Sequence, residues 1–191
     1  MLNNDCIKRD HPLRDLFKRA LDFGLEMNPT DSAETVEYIE DQILCGFINA
    51  ENLYRIKDAS GSRLEDIAEM LSESSVLLNA DSFDREFQVH KHIGDFTLFM
   101  SSMFPYALAR KKGKEFILGR LVIPGASLSE HYVLQGQRSY KIASEFTQSE
   151  LFGELSSNYI MYKNILELVR IYLESVKNRT YMEARRMMRD C

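Results

Sequence analysis

The chain has 191 residues, 45% hydrophobic and 28% charged, with Phe 11, Tyr 9, Met 9 and no Trp, enough for one domain to bury its own core without disulfides or a metal. Its three cysteines, Cys6, Cys45 and Cys191, make no C-x-x-C pair, which excludes zinc-finger and dithiol motifs and fits a reducing compartment. A net charge of −5 disfavours nucleic acid as a partner, and no run approaches the roughly 18 uncharged apolar residues of a membrane span.

Met1-Leu2-Asn3-Asn4-Asp5 lacks the basic start and apolar run of a secretion signal, so the expected location is cytoplasmic. The first helix is predicted from His11 to Met27. Leu13, Leu16, Phe17, Ala20 and Leu21 share one face, Pro12 suits the first turn, and Asn28-Pro29 stops it. A second helix opens at Thr30-Asp31-Ser32, whose side-chain oxygens can cap free N–H groups. Val36, Ile39, Ile43, Leu44 and Phe47 form its stripe, Gly46 weakens its end, and a short turn near Leu53–Ile56 follows. Ala59-Ser60-Gly61-Ser62 reads as a loop. Ser62 with Glu65 has capping-box spacing for a third helix carrying Leu64, Ile67, Ala68 and Leu71. No basic recognition helix follows it, so DNA binding is discounted there.

A long fourth helix is expected from Ser82 to Lys111, kinked or broken at Pro105. Residues 113–127 carry short apolar runs ending at Pro124-Gly125, an irregular connection or a small hairpin. Ser127 is a simple helix cap, a fifth helix runs from Ser129 to Phe146, and a sixth from Ser149 to Val176. Thr180 can cap a last short basic helix, and 178–191 reads as a basic appendage. The fold expected is a single all-α bundle of six to seven helices over residues 1–191.

At 100° per residue, Glu86, Gly94, Thr97 and Ser101 fall within about 40° of His90 on the fourth helix. Glu86 and His90, one turn apart inside the bundle, can supply two metal ligands or a base and its orienter. The plainer alternative is a partly buried ion pair. No Glu-x-x-His pair exists to complete a di-iron set. His92 and Asp95 fall on the opposite side, which reads as a solvated face. On the fifth helix Tyr132, Gly136, Ser139, Tyr140 and Ala143 share a face. The small residues let another helix approach, and Tyr132 and Tyr140 either pack there or line a small-molecule pocket with Glu86 and His90. Phosphate loops, dinucleotide-binding glycines, nucleophile elbows and H-E-x-x-H pairs are all absent, and the sequence names no cofactor.

Gly94-Asp95, Leu98-Phe99 and Phe104-Pro105, with Tyr132, Gly136 and Tyr140 beyond, form a pattern over about a quarter of the chain. It resembles uncharacterised bacterial helical proteins with a G-D-x-x-L-F-x-x-G-x-F-P string on a long helix. Ser102 stands where that string has glycine. The resemblance implies an all-helical fold and no assigned activity, and it makes Asp95 a candidate to cap a neighbouring helix or pair with Arg138.

On the sixth helix Leu155, Tyr162, Val169 and Val176 recur every seven residues, with Ile165 and Tyr172 between, a coiled-coil-like seam. Residues 1–100 hold 10 Lys/Arg against 20 Asp/Glu, while residues 101–191 hold 14 against 9. Opposed halves favour pairing within the chain or between copies. The leading expectation is therefore a non-enzymatic protein acting through partner binding or a homodimer, with Leu155, Tyr162, Ile165, Val169 and Tyr172 at the interface. The alternative is a metal-dependent or small-molecule-binding protein using Glu86 and His90.

Overall fold

A computed structural model describes residues 11–48, 50–58, 60–64, 67–74, 83–110, 127–179, 181–183 and 186. Helix α1 spans Pro12–Met27, with Pro12 in its first turn. The His11 Nδ1 accepts the Leu13 N–H, and Asn28 ends the helix by donating to the Gly24 carbonyl. Helix α2 (Ala33–Tyr38) runs straight into a π-helical segment, Ile39–Leu44. There Cys45 N–H reaches back five residues to the Glu40 carbonyl. This wider turn brings Ile39, Ile43 and Leu44 into the core, as the stripe expected, and Cys45 is a buried thiol outside any disulfide. A 3₁₀ turn (Gly46–Ile48) and α3 (Ala50–Leu53) follow.

The expected loop is a tight turn closed by an antiparallel bridge between Lys57 and Arg63. The Asp58 carboxylate accepts from the Ser60 and Ser62 backbone and from the Ser60 hydroxyl, which holds its pKa low. Helix α4 covers Ile67–Ser74; Glu65, and with it the proposed capping box, lies outside the described residues. Helix α5 (Phe83–Met103) is the axle of the molecule: from Val89 to Met103 only Lys91 escapes full burial. It packs on α4, α7 (Leu128–Glu145) and α9 (Tyr159–Ser175).

The break expected at Pro105 is present. Phe104 leaves the helix and α6 (Pro105–Arg110) begins. Proline offers no N–H and its ring crowds the preceding turn, so carbonyls at the buried end of α5 need partners from outside the helix. Arg170 Nε donates to the Ser102 carbonyl at 3.1 Å and the Tyr181 hydroxyl donates to that of Met103 at 3.1 Å. The irregular or hairpin excursion expected near 113–127 lies outside the described residues up to 126. Ser127 caps α7 through a full capping box with Glu130.

The single helix expected from Ser149 to Val176 is two, α8 (Leu151–Ser157) and α9, parted at Asn158. Ser156, Ser157 and Asn158 bring side chains that compete for hydrogen bonds at this point. The Ser156 hydroxyl donates to the Gln137 carbonyl, and the Asn158 amide to Glu154. Beyond α9, the Asn178 side chain accepts the Tyr181 N–H at 2.9 Å. Thr180, the residue expected to cap there, lies outside the described residues. The fold is all-α, and no helix among the described residues is long and apolar enough to cross a membrane.

Candidate functional site

Most of the heptad seam is filled from within the chain, while Val176, its last member, is 47% exposed. Leu155, Tyr162, Ile165 and Val169 have no exposed surface, and they face α1, α5 and α7 of the same molecule. A second copy has no access to these four side chains, because intramolecular packing of α9 takes the stripe first. Tyr172, half-buried, sets its ring 5.7 Å from that of Phe23 on α1.

His92 and Asp95 do not sit on a solvated face; they are 4% and 3% exposed. Neighbours surround α5 on nearly every side, so its second polar stripe is interior too. Asp95 is the centre of a buried polar layer. Its carboxylate accepts the Tyr38 hydroxyl at 2.8 and 2.9 Å, the Tyr140 hydroxyl at 2.8 Å and the Lys91 ammonium at 3.0 Å. Those donors, and not a helix terminus or Arg138, are what the Asp95 carboxylate holds. Lys91 also lies 5.1 Å over the Tyr38 ring. Burial first, and the Asp95 charge next, push the Tyr38 and Tyr140 phenols well above their usual range. They therefore stay protonated donors, and the three donors neutralise a charge that would be costly alone.

On the other side of α5, the His90 Nδ1 lies 3.3 Å from the Ser139 hydroxyl of α7. Burial, then the Arg138 charge, lowers its pKa to about 4, so the ring is neutral at pH 7. Glu86 sits one turn earlier, half-buried. Among the described residues no three His, Cys, Asp or Glu side chains gather so as to hold a metal ion. The small-residue face of α7 meets this stripe closely. A Cβ on Gly94 would lie 2.5 Å from the Tyr140 ring, and one on Gly136 would strike Thr97 and Tyr159. The Tyr159 hydroxyl donates to Thr97 at 3.1 Å. Tyr132 and Tyr140 are both buried; Tyr140 fills the hollow over Gly94, and Tyr132 packs 6.1 Å from Phe96.

Two features escaped the residue patterns. His92 lies between the Phe47 and Phe96 rings, its buried Nε2 without a hydrogen-bond partner. Burial holds its pKa down to about 4 against the opposing pull of Asp95. An aromatic ladder also runs outward from the Asp95 layer. Tyr140 and Tyr38 touch Phe152, Phe152 touches Phe87, and Phe87 touches Phe146. The outermost rung is Phe83, 70% exposed, with its ring 6.3 Å from Phe146. Beside this ladder, an open cleft of about 440 Å³ is lined by Thr30, Asp31, Ser32, Glu34, Glu150, Leu151 and Glu154. Ladder and cleft depend on contacts between residues far apart in sequence, which no local spacing announces.

No family model, no curated protein and no solved structure matches this chain.

Proposed function

We propose that this protein works by association, as a homodimer in the cytoplasm, and that its buried polar groups hold the fold without carrying a reaction. The observation that supports this reading is the Phe83–Phe146 pair, an apolar edge held at the surface by a ladder rooted in the core. An exposed phenylalanine that is also rigidly backed loses little entropy when a partner covers it. The opposite charge balance of residues 1–100 and 101–191 makes a second copy the complementary partner. Asp95 adds weight, because its three donors already occupy it.

Sedimentation velocity over a concentration series tests the reading. The wild-type chain is expected to form a dimer, and Phe83→Ser to shift it towards monomer with an unchanged helical signal. A wild-type monomer at every concentration overturns it.

A second reading keeps Glu86 and His90 as ligands. It is favoured by the buried, neutral His90 imidazole, which is the metal-binding form, but it needs a third ligand that the described residues do not bring. Native mass spectrometry of protein prepared without chelator decides it: a metal mass lost in His90→Ala supports the pair, and bare polypeptide mass removes it.

A further inference from the structure

The acidic cleft and the exposed phenylalanines share one edge. The turn from Phe146 to Glu150 joins them, and Phe152 of α8 reaches back to Phe87. Asp31, Glu34, Glu150 and Glu154 line the cleft, and no cation does. Such a surface matches a segment with two cations flanking an apolar side chain.

The chain carries such a face past α9. Past α9, residues 179, 181–183 and 186 are helical. At three- and four-residue steps Arg179, Met182 and Arg186 lie on one side. All three are exposed; the Arg179 side chain is 91% exposed, in an ion pair with Glu183 that water screens. Tyr181, on the other side, is buried and fixes the segment to the end of α5 through the Met103 carbonyl.

That anchor decides between the same molecule and another. Phe87, beside the cleft, and Met103, at the anchor, are separated by 16 steps of α5, about 24 Å at helical rise. The cleft lies by the start of α9, where the Tyr162 hydroxyl bonds to Thr30 and Glu154, and the Tyr181 anchor lies by its end, 3.5 Å from Glu174; the basic face of the same copy therefore starts from the far end of α9.

We propose that the Arg179–Met182–Arg186 face of a second copy docks in the acidic cleft, Met182 against Phe146 and Phe83 and the two guanidinium groups on the cleft carboxylates. This rests on the association reading above and supplies its contact. In a two-fold dimer the exchange is reciprocal, each copy giving its basic face and taking the other's. Methionine suits the aromatic edge, and arginine forks suit carboxylates.

Charge reversal tests it on the full chain, by sedimentation equilibrium. Asp31→Arg with Glu150→Arg, and separately Arg179→Glu with Arg186→Glu, are each expected to weaken dimerisation about tenfold or more, and all four together to restore it. All four side chains are exposed, so folding is not at risk, and circular dichroism checks that. A dimer that ignores either pair of reversals, or that the four-fold variant fails to restore, overturns the docking and leaves the association reading standing. A wild-type monomer overturns both.

Discussion

Removing the Asp95 carboxylate leaves two phenol hydroxyls and an ammonium group without their acceptor inside the protein. Lys91 is only partly buried, but two buried phenols also lose their acceptor, each at about 1–3 kcal/mol, so Asp95→Ala is expected to lower stability by about 2–4 kcal/mol in chemical denaturation. Tyr140→Phe, which removes one neutral donor, is expected to cost about 1–2 kcal/mol. If Asp95→Ala melts within 1 kcal/mol of wild type, as a surface change would, the polar layer does not hold the core. His92 gives the second prediction at this scale. Its folded pKa of about 4 lies below the ordinary 6.5, so the fold favours the neutral ring. The stability this represents is complete above pH 6.5 and is lost as pH falls towards 4, to a limit of about 3 kcal/mol. His90 titrates in the same direction. His92→Phe, which keeps an aromatic ring beside Phe47 and Phe96, is expected to flatten the loss of stability between pH 6.5 and 4. An unchanged pH profile would show that His92 does not titrate in this window.

At the scale of elements, the close approach of α5 and α7 rests on two glycines. Gly136→Ala sets a methyl group against Thr97 and the Tyr159 hydroxyl, both fully buried and bonded to each other. Overpacking of this kind costs about 1–3 kcal/mol, whereas Gly→Ala in an open helix stabilises by up to about 1 kcal/mol. The sign of the change in melting temperature therefore reports the packing. Most helices were legible in the sequence because their signals are local. Pro12, Asn28-Pro29, Ser127 and Pro105 act through backbone geometry within a few residues. The π-helical turn at Ile39–Leu44 and the parting at Asn158 were not, because both answer to neighbours: Ser156 bonds to Gln137 of another helix, and the wider turn seats Ile43 and Leu44 in a core the other helices create.

At the scale of the molecule, the same logic explains the site. Counting angles around α5 put Glu86, His90, Gly94, Thr97 and Ser101 on one face; His90 and Gly94 meet Ser139 and Tyr140 of α7, and Thr97 meets Tyr159 of α9, while Glu86 is half-buried. The count assigned His92 and Asp95 to water because amphipathic reasoning presumes one wet side, and a central helix has none. Likewise Tyr162, Ile165 and Val169 of the α9 seam are apolar because they pack within the chain, where α9 lies against α1 and α5. On the association reading proposed above, the contact uses surface that remains exposed, the edge at Phe83 and the charged faces among it. Dimerisation adds stability by mass action, so the melting temperature is expected to rise with protein concentration. Because Arg179, Arg186, Asp31 and Glu150 are exposed, salt is expected to shrink that dependence by screening their attraction. Scanning calorimetry at two concentrations and two ionic strengths measures both effects. A concentration-dependent melting temperature that salt leaves unchanged assigns the contact to the Phe83 edge alone, and one independent of concentration identifies a monomer.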